Sequence, residues 1–155
     1  MLPEKVDEKI QKMEERTLEI IQDITDDVKS VFRVNRAKLN GELIANISQN
    51  QRLVENLSFY KAKVKGAFRH RHRTQHELLE KINNGEVTRP DGKKRIFTNQ
   101  KEKDTWIKAH PKYIIAEARI DYFQLIVDHI KTLMECCKNK NYVVRYLNSV
   151  HRLKD

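Results

Sequence analysis

Glycine and proline are scarce in this chain of 155 residues, which contains four glycines and three prolines. A β-sandwich or β-barrel needs many more turns than these residues provide, so their scarcity favours a mainly helical fold. The two cysteines are adjacent and cannot form a disulfide framework, which fits a reducing compartment. No run of about 18 apolar residues is present to span a membrane. The first residues also lack the apolar core of a signal peptide, so we expect a cytoplasmic protein.

Signatures of common enzyme classes are also missing. The sequence has no glycine-rich dinucleotide motif, no P-loop, no nucleophile elbow, and no group of acids spaced to hold the magnesium of a nuclease. His70, His72 and His76 are spaced like metal ligands on a helix, but the arginines among them would repel a divalent cation. We therefore predict no enzymatic activity, no metal and no other cofactor.

Positive charge is in excess, because 31 lysines and arginines against 22 acids give a net charge of +9. Residues 1–30 run against this trend, since they contain more acids than bases. The acidic segment is suited to packing on protein. The partner expected for the rest of the chain is a polyanion.

The spacing of apolar residues predicts two helices in the first half of the chain. Residues 1–34 predict an acidic amphipathic helix followed by a short extended link. Residues 35–85 predict a long basic helix that Asn35 caps and that the Asn-Asn-Gly sequence at 83–85 ends. The predicted apolar seam of this second helix comprises Leu43, Ile47, Asn50, Val54, Leu57, Lys61, Val64 and Phe68.

Residues 86–98 predict a basic β-hairpin between the long helices. Pro90, Asp91 and Gly92 form a turn signal, because proline presets φ and glycine accepts a positive φ. The flanking residues are short β-prone runs that would form the two strands. We expect this hairpin to be the only sheet in the protein.

Residues 99–155 predict a C-terminal helical region. Asn99 followed by Glu102 resembles a capping box, and Pro111 either kinks the helix or restarts it. Residues 139–141 are expected to end this helix, and a last short helix follows.

An apolar seam from residue 113 to residue 137 has the most regular helical spacing in the sequence. It offers more apolar surface than one chain of long helices easily covers. We therefore predict a homo-oligomer larger than a dimer. The predicted oligomerisation residues are Ile120, Phe123, Val127, Ile130, Met134, Val143 and Leu147.

A run of cations without acids is the strongest functional signal. Residues 61–73 contain six lysines and arginines and no aspartate or glutamate. Helical geometry, at about 100° per residue, places many of these side chains on one face. Exposed helix faces usually mix both signs of charge, so this run and the basic hairpin favour contacts with phosphates. The predicted DNA-binding residues are Lys61, Lys63, Lys65, Arg69, His70, Arg71, His72, Arg73, Arg89, Lys93, Lys94, Arg95 and Phe97.

Aromatic residues near these cations are candidates for stacking on unpaired bases. They are Tyr60, Phe68, Phe97 and Trp106. We interpret Phe68 as a core residue, because it continues the predicted seam. Phe97, at the end of a predicted hairpin strand, is the better candidate for stacking.

Two C-terminal stretches resemble the UvsY family, the recombination mediators of tailed bacteriophages. The run from Ile120 to Asp128 is similar to an aromatic and aliphatic helix of that family, and residues 139–145 with Leu147 are similar to the segment that follows. The resemblance extends over about residues 31–155. Weaker similarity is found at Val31, Phe32, Ala37, Lys38, Leu39 and Glu42.

The resemblance implies a helix–hairpin–helix protein that forms ring-like homo-oligomers of about six to seven subunits. It also implies binding to single-stranded DNA, and loading of a RecA-type recombinase onto strands covered by single-strand-binding protein. The host cytoplasm is the expected location if a phage encodes the chain. The residues themselves leave two alternatives open: a double-stranded-DNA-binding phage assembly protein similar to a small terminase subunit, and a coiled-coil scaffold or adaptor.

Overall fold

The computed structural model describes residues 4–154, apart from the side chains of residues 30, 31 and 154. The chain is mainly helical, as its sequence predicts. Short 3₁₀ turns at Lys29–Phe32 and Arg36–Lys38 lie between the first two helices, and the first of them replaces part of the predicted extended link. The described residues form the helices α1 (Glu4–Asp27), α2 (Leu39–Asn83), α3 (Gln100–Ala109) and α4 (Pro111–Lys154).

Both asparagines that were predicted to cap a helix act as caps, but Asn35 caps a 3₁₀ turn, and the second long helix begins only at Leu39. The side-chain oxygen of Asn35 accepts a hydrogen bond from the backbone N–H of Ala37 at 3.0 Å, and the 3₁₀ turn that it caps leads into α2. The side chain of Asn99 accepts from the N–H of Glu102 at 2.9 Å and so begins α3. Glu102 in return accepts from the N–H of Thr98 at 2.8 Å, which satisfies a second donor at this end of the helix.

The C-terminus of α2 is closed by a glycine in the left-handed region, also as predicted. Gly85 has a φ of 68°. The N–H of Glu86 donates to the carbonyl of Lys81 at 3.0 Å, and the N–H of Gly85 donates to the carbonyl of Ile82 at 3.1 Å. This pair of bonds is the Schellman arrangement, which satisfies carbonyls that the helix end leaves free.

Residues 87–95 form a hairpin-shaped turn in place of the two predicted strands. Thr88 and Lys94 make an antiparallel bridge, the single bridge within the described residues, and none of those residues form a strand. Gly92 has a φ of 81° and completes a three-residue loop. Ile96, which was expected to lie in the second strand, is 84% exposed. The backbone hydrogen bonds between the two sides of the turn extend only to Arg95, whose N–H donates to the carbonyl of Val87 at 2.9 Å. The pairing therefore stops before Ile96, where the second predicted strand begins.

Pro111 restarts the helix rather than kinking it. The helix α3 ends at Ala109, and Pro111 is the first residue of α4, where its missing N–H leaves no bond unmade. His110 makes a hydrogen bond to each of the two helices. Its N–H donates to the carbonyl of Ile107 at 3.0 Å, and its ring Nδ1 accepts from the N–H of Lys112 at 3.2 Å.

The chain divides into two compact units. Unit 1 comprises Met1–Glu14 and Lys63–Tyr122, and unit 2 comprises Glu15–Ala62 and Phe123–Asp155. The helices α1, α2 and α4 each contribute residues to both units. Neither unit is therefore a continuous segment of the sequence.

Each unit has its own apolar core. In unit 1, Leu78 and Ile82 of α2 pack with Val87, with Ile107 of α3 and with Tyr113 of α4. In unit 2, all three long helices supply the core, and burying one such large side chain contributes roughly 1.5–3 kcal/mol relative to its exposure. The buried residues of the unit 2 core are Ile24, Val28, Leu53, Ile126, Ile130, Leu133 and Cys137.

The predicted seam of α2 consists of two rows of residues along the helix, and the row that contains Ile47 and Phe68 is wrong. Ile47 is 65% exposed and Phe68 is 44% exposed, so the interpretation of Phe68 as a core residue is also wrong. The buried residues occupy a neighbouring row of the same helix, which includes Asn46, Leu53 and Thr74. Apolar residues stand in both rows, and the helices that α2 packs against decide which row is covered.

The predicted break at residues 139–141 is absent, because α4 continues to Lys154. Side chains of α2 stabilise this stretch. The amide of Asn46 donates to the carbonyl of Cys137 at 2.8 Å and to the side-chain oxygen of Asn141 at 2.7 Å. The ammonium of Lys140 forms a buried ion pair with the carboxylate of Glu42. These contacts outweigh the modest helix propensity of asparagine.

Most of the predicted oligomerisation residues lie in the interior of their own chain. Ile120, Val127 and Ile130 are buried, and Ile130 is completely inaccessible to solvent. Phe123 and Met134 are partly buried and pack against the unit 2 core, while Leu147 is partly buried. Val143, in contrast, is 48% exposed. The chain itself therefore covers most of the apolar surface that we predicted to contact a second subunit.

Candidate nucleic-acid interface

The cations of α2 in unit 1 lie on the side of the helix that faces away from the core. Val64, Ala67 and Thr74 are buried and mark the packed side. At about 100° per residue, the exposed cations and histidines of the same stretch project from the opposite side. We call this surface the basic face, and it comprises Lys65, Arg69, His72, Arg73 and His76.

Acids do not neutralise the centre of the basic face. Among the described residues, no carboxylate lies within ion-pair distance of Lys65, Arg69 or Arg73. At the edge of the face, His76 Nε2 lies 3.4 Å from a carboxylate oxygen of Glu80, and both side chains are exposed. Such surface pairs contribute about 0–1 kcal/mol, so they are easily exchanged for a ligand. The centre of the face is free to contact a polyanion.

Arg71 differs from the other arginines of this stretch, because its side chain is used within the chain. Its guanidinium nitrogen lies 3.5 Å from a carboxylate oxygen of Glu117 on α4, and its side chain is only 32% exposed. Its Cζ also lies 5.1 Å from the centroid of the Phe68 ring. Sequence reasoning missed this pair, since the two partners are far apart in the sequence.

An open depression on unit 1 brings Arg71 together with part of the basic face. Phe68 and three arginines line it, so it presents an apolar ring among guanidinium groups. Arginine forks bind phosphate oxygens in a bidentate manner. The residues that line the depression are Phe68, Arg69, Arg71, His72 and Arg73.

The remaining predicted contact residues of α2 lie outside the basic face. Lys63 and His70 are exposed in unit 1, but Lys63 lies about 160° around the helix from Lys65, and His70 about 160° from His72. Lys61 is exposed on α2 within unit 2.

The turn between α2 and α3 carries a second group of exposed cations, which we call the basic loop. Arg89 lies 3.4 Å from the carboxylate of Asp91 in the same turn. The side chain of Lys94 folds over Gly85 at the C-terminus of α2, where helix carbonyls carry partial negative charge. The guanidinium of Arg95 lies 4.9 Å from the centroid of the Phe97 ring. The basic loop comprises Arg89, Lys93, Lys94 and Arg95.

Phe97 belongs to a row of three partly buried rings. Its centroid lies 6.1 Å from that of Trp106, and the centroid of Trp106 lies 5.2 Å from that of His110. Phe97 and Trp106 also pack against the unit 1 core. The sequence named Phe97 and Trp106 as stacking candidates but not His110, although a spacing of four residues on a helix indicates that Trp106 and His110 are neighbours. We call these three residues the aromatic row.

The surroundings of the His110 ring disfavour its protonated form. Burial is the first cause that lowers the pKa of His110, and the positive charges of Lys81 and Lys112 lower this pKa further. The Nδ1 atom already accepts the N–H of Lys112, so a proton on this atom would break that hydrogen bond. The aromatic row therefore combines two apolar rings with a histidine whose charged form is disfavoured, and cations lie near both ends of the row.

None of the helices within residues 4–154 is both long and apolar enough to cross a bilayer. In the same part of the chain, no three histidine, cysteine, aspartate or glutamate side chains converge to hold a metal ion.

The chain has no significant match among protein-family models, curated proteins or solved structures.

Proposed function

We propose that this protein is a non-enzymatic, oligomeric recombination mediator that binds single-stranded DNA. In this role it helps to load a RecA-type recombinase onto DNA covered by single-strand-binding protein. The observation that carries the proposal is the basic face, whose central cations are exposed and lie beyond ion-pair distance of any described carboxylate. The two protein partners enter the proposal through the resemblance to phage mediators.

Phosphate contacts suit a mediator, because they hold DNA without reading its sequence. Lysine and arginine bind phosphates by charge and by hydrogen bonds, and base identity is not involved. Each contact is weak, but an oligomer repeats the basic face once per subunit. A long strand that contacts several subunits then gains affinity by multivalency, while each single contact stays easily reversible.

A salt titration tests the proposal. We expect a fluorescent single-stranded oligonucleotide to bind more tightly than the duplex of the same sequence, with an affinity that falls steeply with salt. The variant Lys65→Gln, Arg69→Gln, Arg73→Gln should lower the slope of log affinity against log salt by about 0.7 for each single-strand phosphate contact removed. Fluorescence anisotropy at four or more salt concentrations measures both quantities.

A charge-matched control separates the basic face from net charge. The variant Arg33→Gln, Arg36→Gln, Lys38→Gln also removes three exposed cations, but from unit 2. We expect it to keep the wild-type slope. Tighter binding to the duplex would favour the phage assembly alternative, and no binding to either DNA would favour the scaffold. Either result contradicts the proposal.

The basic loop is tested separately. We expect Lys93→Gln, Lys94→Gln, Arg95→Gln to lower the salt slope independently of the basic face, because all three residues are exposed and belong to the same unit as that face. A strand-exchange assay with recombinase and single-strand-binding protein accompanies the DNA titration. An unchanged slope with lost stimulation of strand exchange would mean that the basic loop contacts a protein partner instead.

A further inference from the structure

Packing fixes the aromatic row in place. Phe97 and Trp106 are joined by a centroid distance of 6.1 Å and an interplanar angle of 75°, and both pack against the buried cluster that contains Ile107. His110 is fixed by the hydrogen bond that its ring accepts from Lys112. Rings held in this way lose little conformational freedom when a ligand binds to them. All three keep part of their surface exposed.

Positively charged side chains lie near both ends of the aromatic row. Arg95 lies over the Phe97 ring at one end, and the charges of Lys81 and Lys112 act on His110 at the other. Glu102 lies close enough for the charge of Arg95 to act on it, but it already accepts the N–H of Thr98. Rings in a positive field attract a ligand that carries negative charge and a flat apolar surface, and they repel a cationic one.

We propose that the aromatic row is a stacking site for unpaired nucleobases of a single-stranded polynucleotide. Lys81 and Lys112 contact the phosphates at one end of the stacked bases, and Arg95 moves from the face of the Phe97 ring to contact the phosphates at the other end. Any base can occupy the row, since every base has a flat π face, so the site adds affinity for single strands without sequence preference. This inference rests on the proposed function and names the part of unit 1 that distinguishes a single strand from a duplex.

The stacking site gives a direct optical signal, because Trp106 is the only tryptophan in the chain. The experiment compares a dye-labelled oligothymidine with an abasic oligonucleotide of the same length, which has the phosphates but no bases. We expect both to bind in an anisotropy titration at low salt. Only the oligothymidine should quench the emission of Trp106, since quenching needs a base against the indole.

Two substitutions test the contribution of the rings to affinity. Trp106→Leu and Phe97→Leu keep an apolar cover on the core but remove the π face. We expect each to weaken oligothymidine binding roughly 5- to 150-fold, the range for one lost base stack, and to change abasic binding less than about twofold. Phe59→Leu removes an exposed aromatic ring of α2 in unit 2 and should leave both affinities unchanged. Circular dichroism verifies that each variant has wild-type helix content.

The outcomes separate the inference from the function on which it rests. If both oligonucleotides bind equally and Trp106 emission is unchanged, the inference is wrong while the proposed function stands. If neither oligonucleotide binds, the proposed function and the inference both fail. If the leucine variants lose helix content, the emission of wild-type Trp106 with the two oligonucleotides still decides the question.

Discussion

Gly66 and Gly85 both belong to the α2 region, but the surroundings of the two residues differ. A side chain added at Gly66 would meet nothing within 4 Å, whereas a Cβ at Gly85 would lie 2.7 Å from the ammonium of Lys94. We expect Gly66→Ala to raise the free energy of unfolding by about 1 kcal/mol, because alanine favours the helix. We expect Gly85→Ala to lower it by about 1 kcal/mol or more, because the φ of 68° strains alanine.

Urea unfolding followed by circular dichroism measures both effects. The two substitutions add the same methyl group, so each is the control for the other. A loss of stability in Gly66→Ala would contradict the open surroundings of that glycine. Equal stability of Gly85→Ala and the wild type would contradict the left-handed cap.

His110 makes stability depend on pH in a defined direction. Its folded-state pKa is lowered, first by burial and then by the charges of Lys81 and Lys112, so the unfolded chain binds a proton more readily. The stability that depends on its neutral ring is therefore present above the ordinary histidine pKa of about 6.5 and is lost as the pH falls. We expect the wild type to lose more stability between pH 7.5 and pH 5.5 than His110→Gln, as measured by urea unfolding. Parallel losses in the two proteins would mean that His110 does not couple folding to pH.

Residues whose role is local could be predicted from the sequence. The Asn99 cap, the Gly85 cap and the Gly92 turn each depend on a few adjacent residues, and each is present in the structure. His110 could not be predicted in the same way. Its role depends on where α3 ends, on the burial of its ring and on Lys81, which is distant in sequence.

At the scale of helices, α2 illustrates the limit of periodicity. Two rows of this helix carry apolar residues, and the predicted seam includes Ile47 and Phe68 from the row that is exposed. The row that packs contains Asn46 and Thr74, which no hydrophobic pattern would select. Only the contacts with α1 and α4 make this row the buried one. The basic face was predictable despite this error, because its charges mark the exposed side independently of the seam.

The ion pair between Glu42 and Lys140 connects α2 with α4 inside unit 2. The side chain of Lys140 is 2% exposed, and that of Glu42 is 18% exposed. We expect Lys140→Met to lower the free energy of unfolding by about 3–5 kcal/mol, because it leaves a buried carboxylate without its partner. Adding Glu42→Leu to this variant should restore most of the loss, since two apolar side chains can replace a buried ion pair.

Chemical denaturation of the two single variants and the double variant measures the coupling. The exposed pair between Arg52 and Asp27 is the control, and Arg52→Met should change stability by no more than about 1 kcal/mol. A double variant less stable than Lys140→Met would mean that Glu42 has another essential contact.

At the scale of the whole molecule, burial changes which residues are suited to contact a second subunit. Tyr142, Val143 and Tyr146 are large exposed side chains in the C-terminal part of α4. If the protein is oligomeric, as proposed, we expect Val143→Asp with Tyr146→Asp to yield smaller species by light scattering and to keep the helix content. Ile130→Asp should instead unfold the chain, because its side chain is completely buried.

Light scattering and circular dichroism on the same samples distinguish the two variants. A monomeric wild type at micromolar concentration would contradict the oligomeric part of the proposal. Retained helix content in Ile130→Asp, together with smaller species, would mean that this residue lies between subunits instead of in the core.

The division of α1 between two units has a consequence for how the chain folds as it is synthesised. Residues 4–14 complete a unit whose other residues end at Tyr122, and the second unit needs residues beyond Tyr122. At about 5–20 residues per second, the start of α1 leaves the ribosome several seconds before its partners exist. The apolar side chains at the start of α1 therefore stay exposed on the nascent chain, where a chaperone can bind them. We expect a protease to cleave ribosome-bound chains that stop before residue 122 throughout the part that has left the ribosome. Both units should become resistant to the protease only after the complete chain is released.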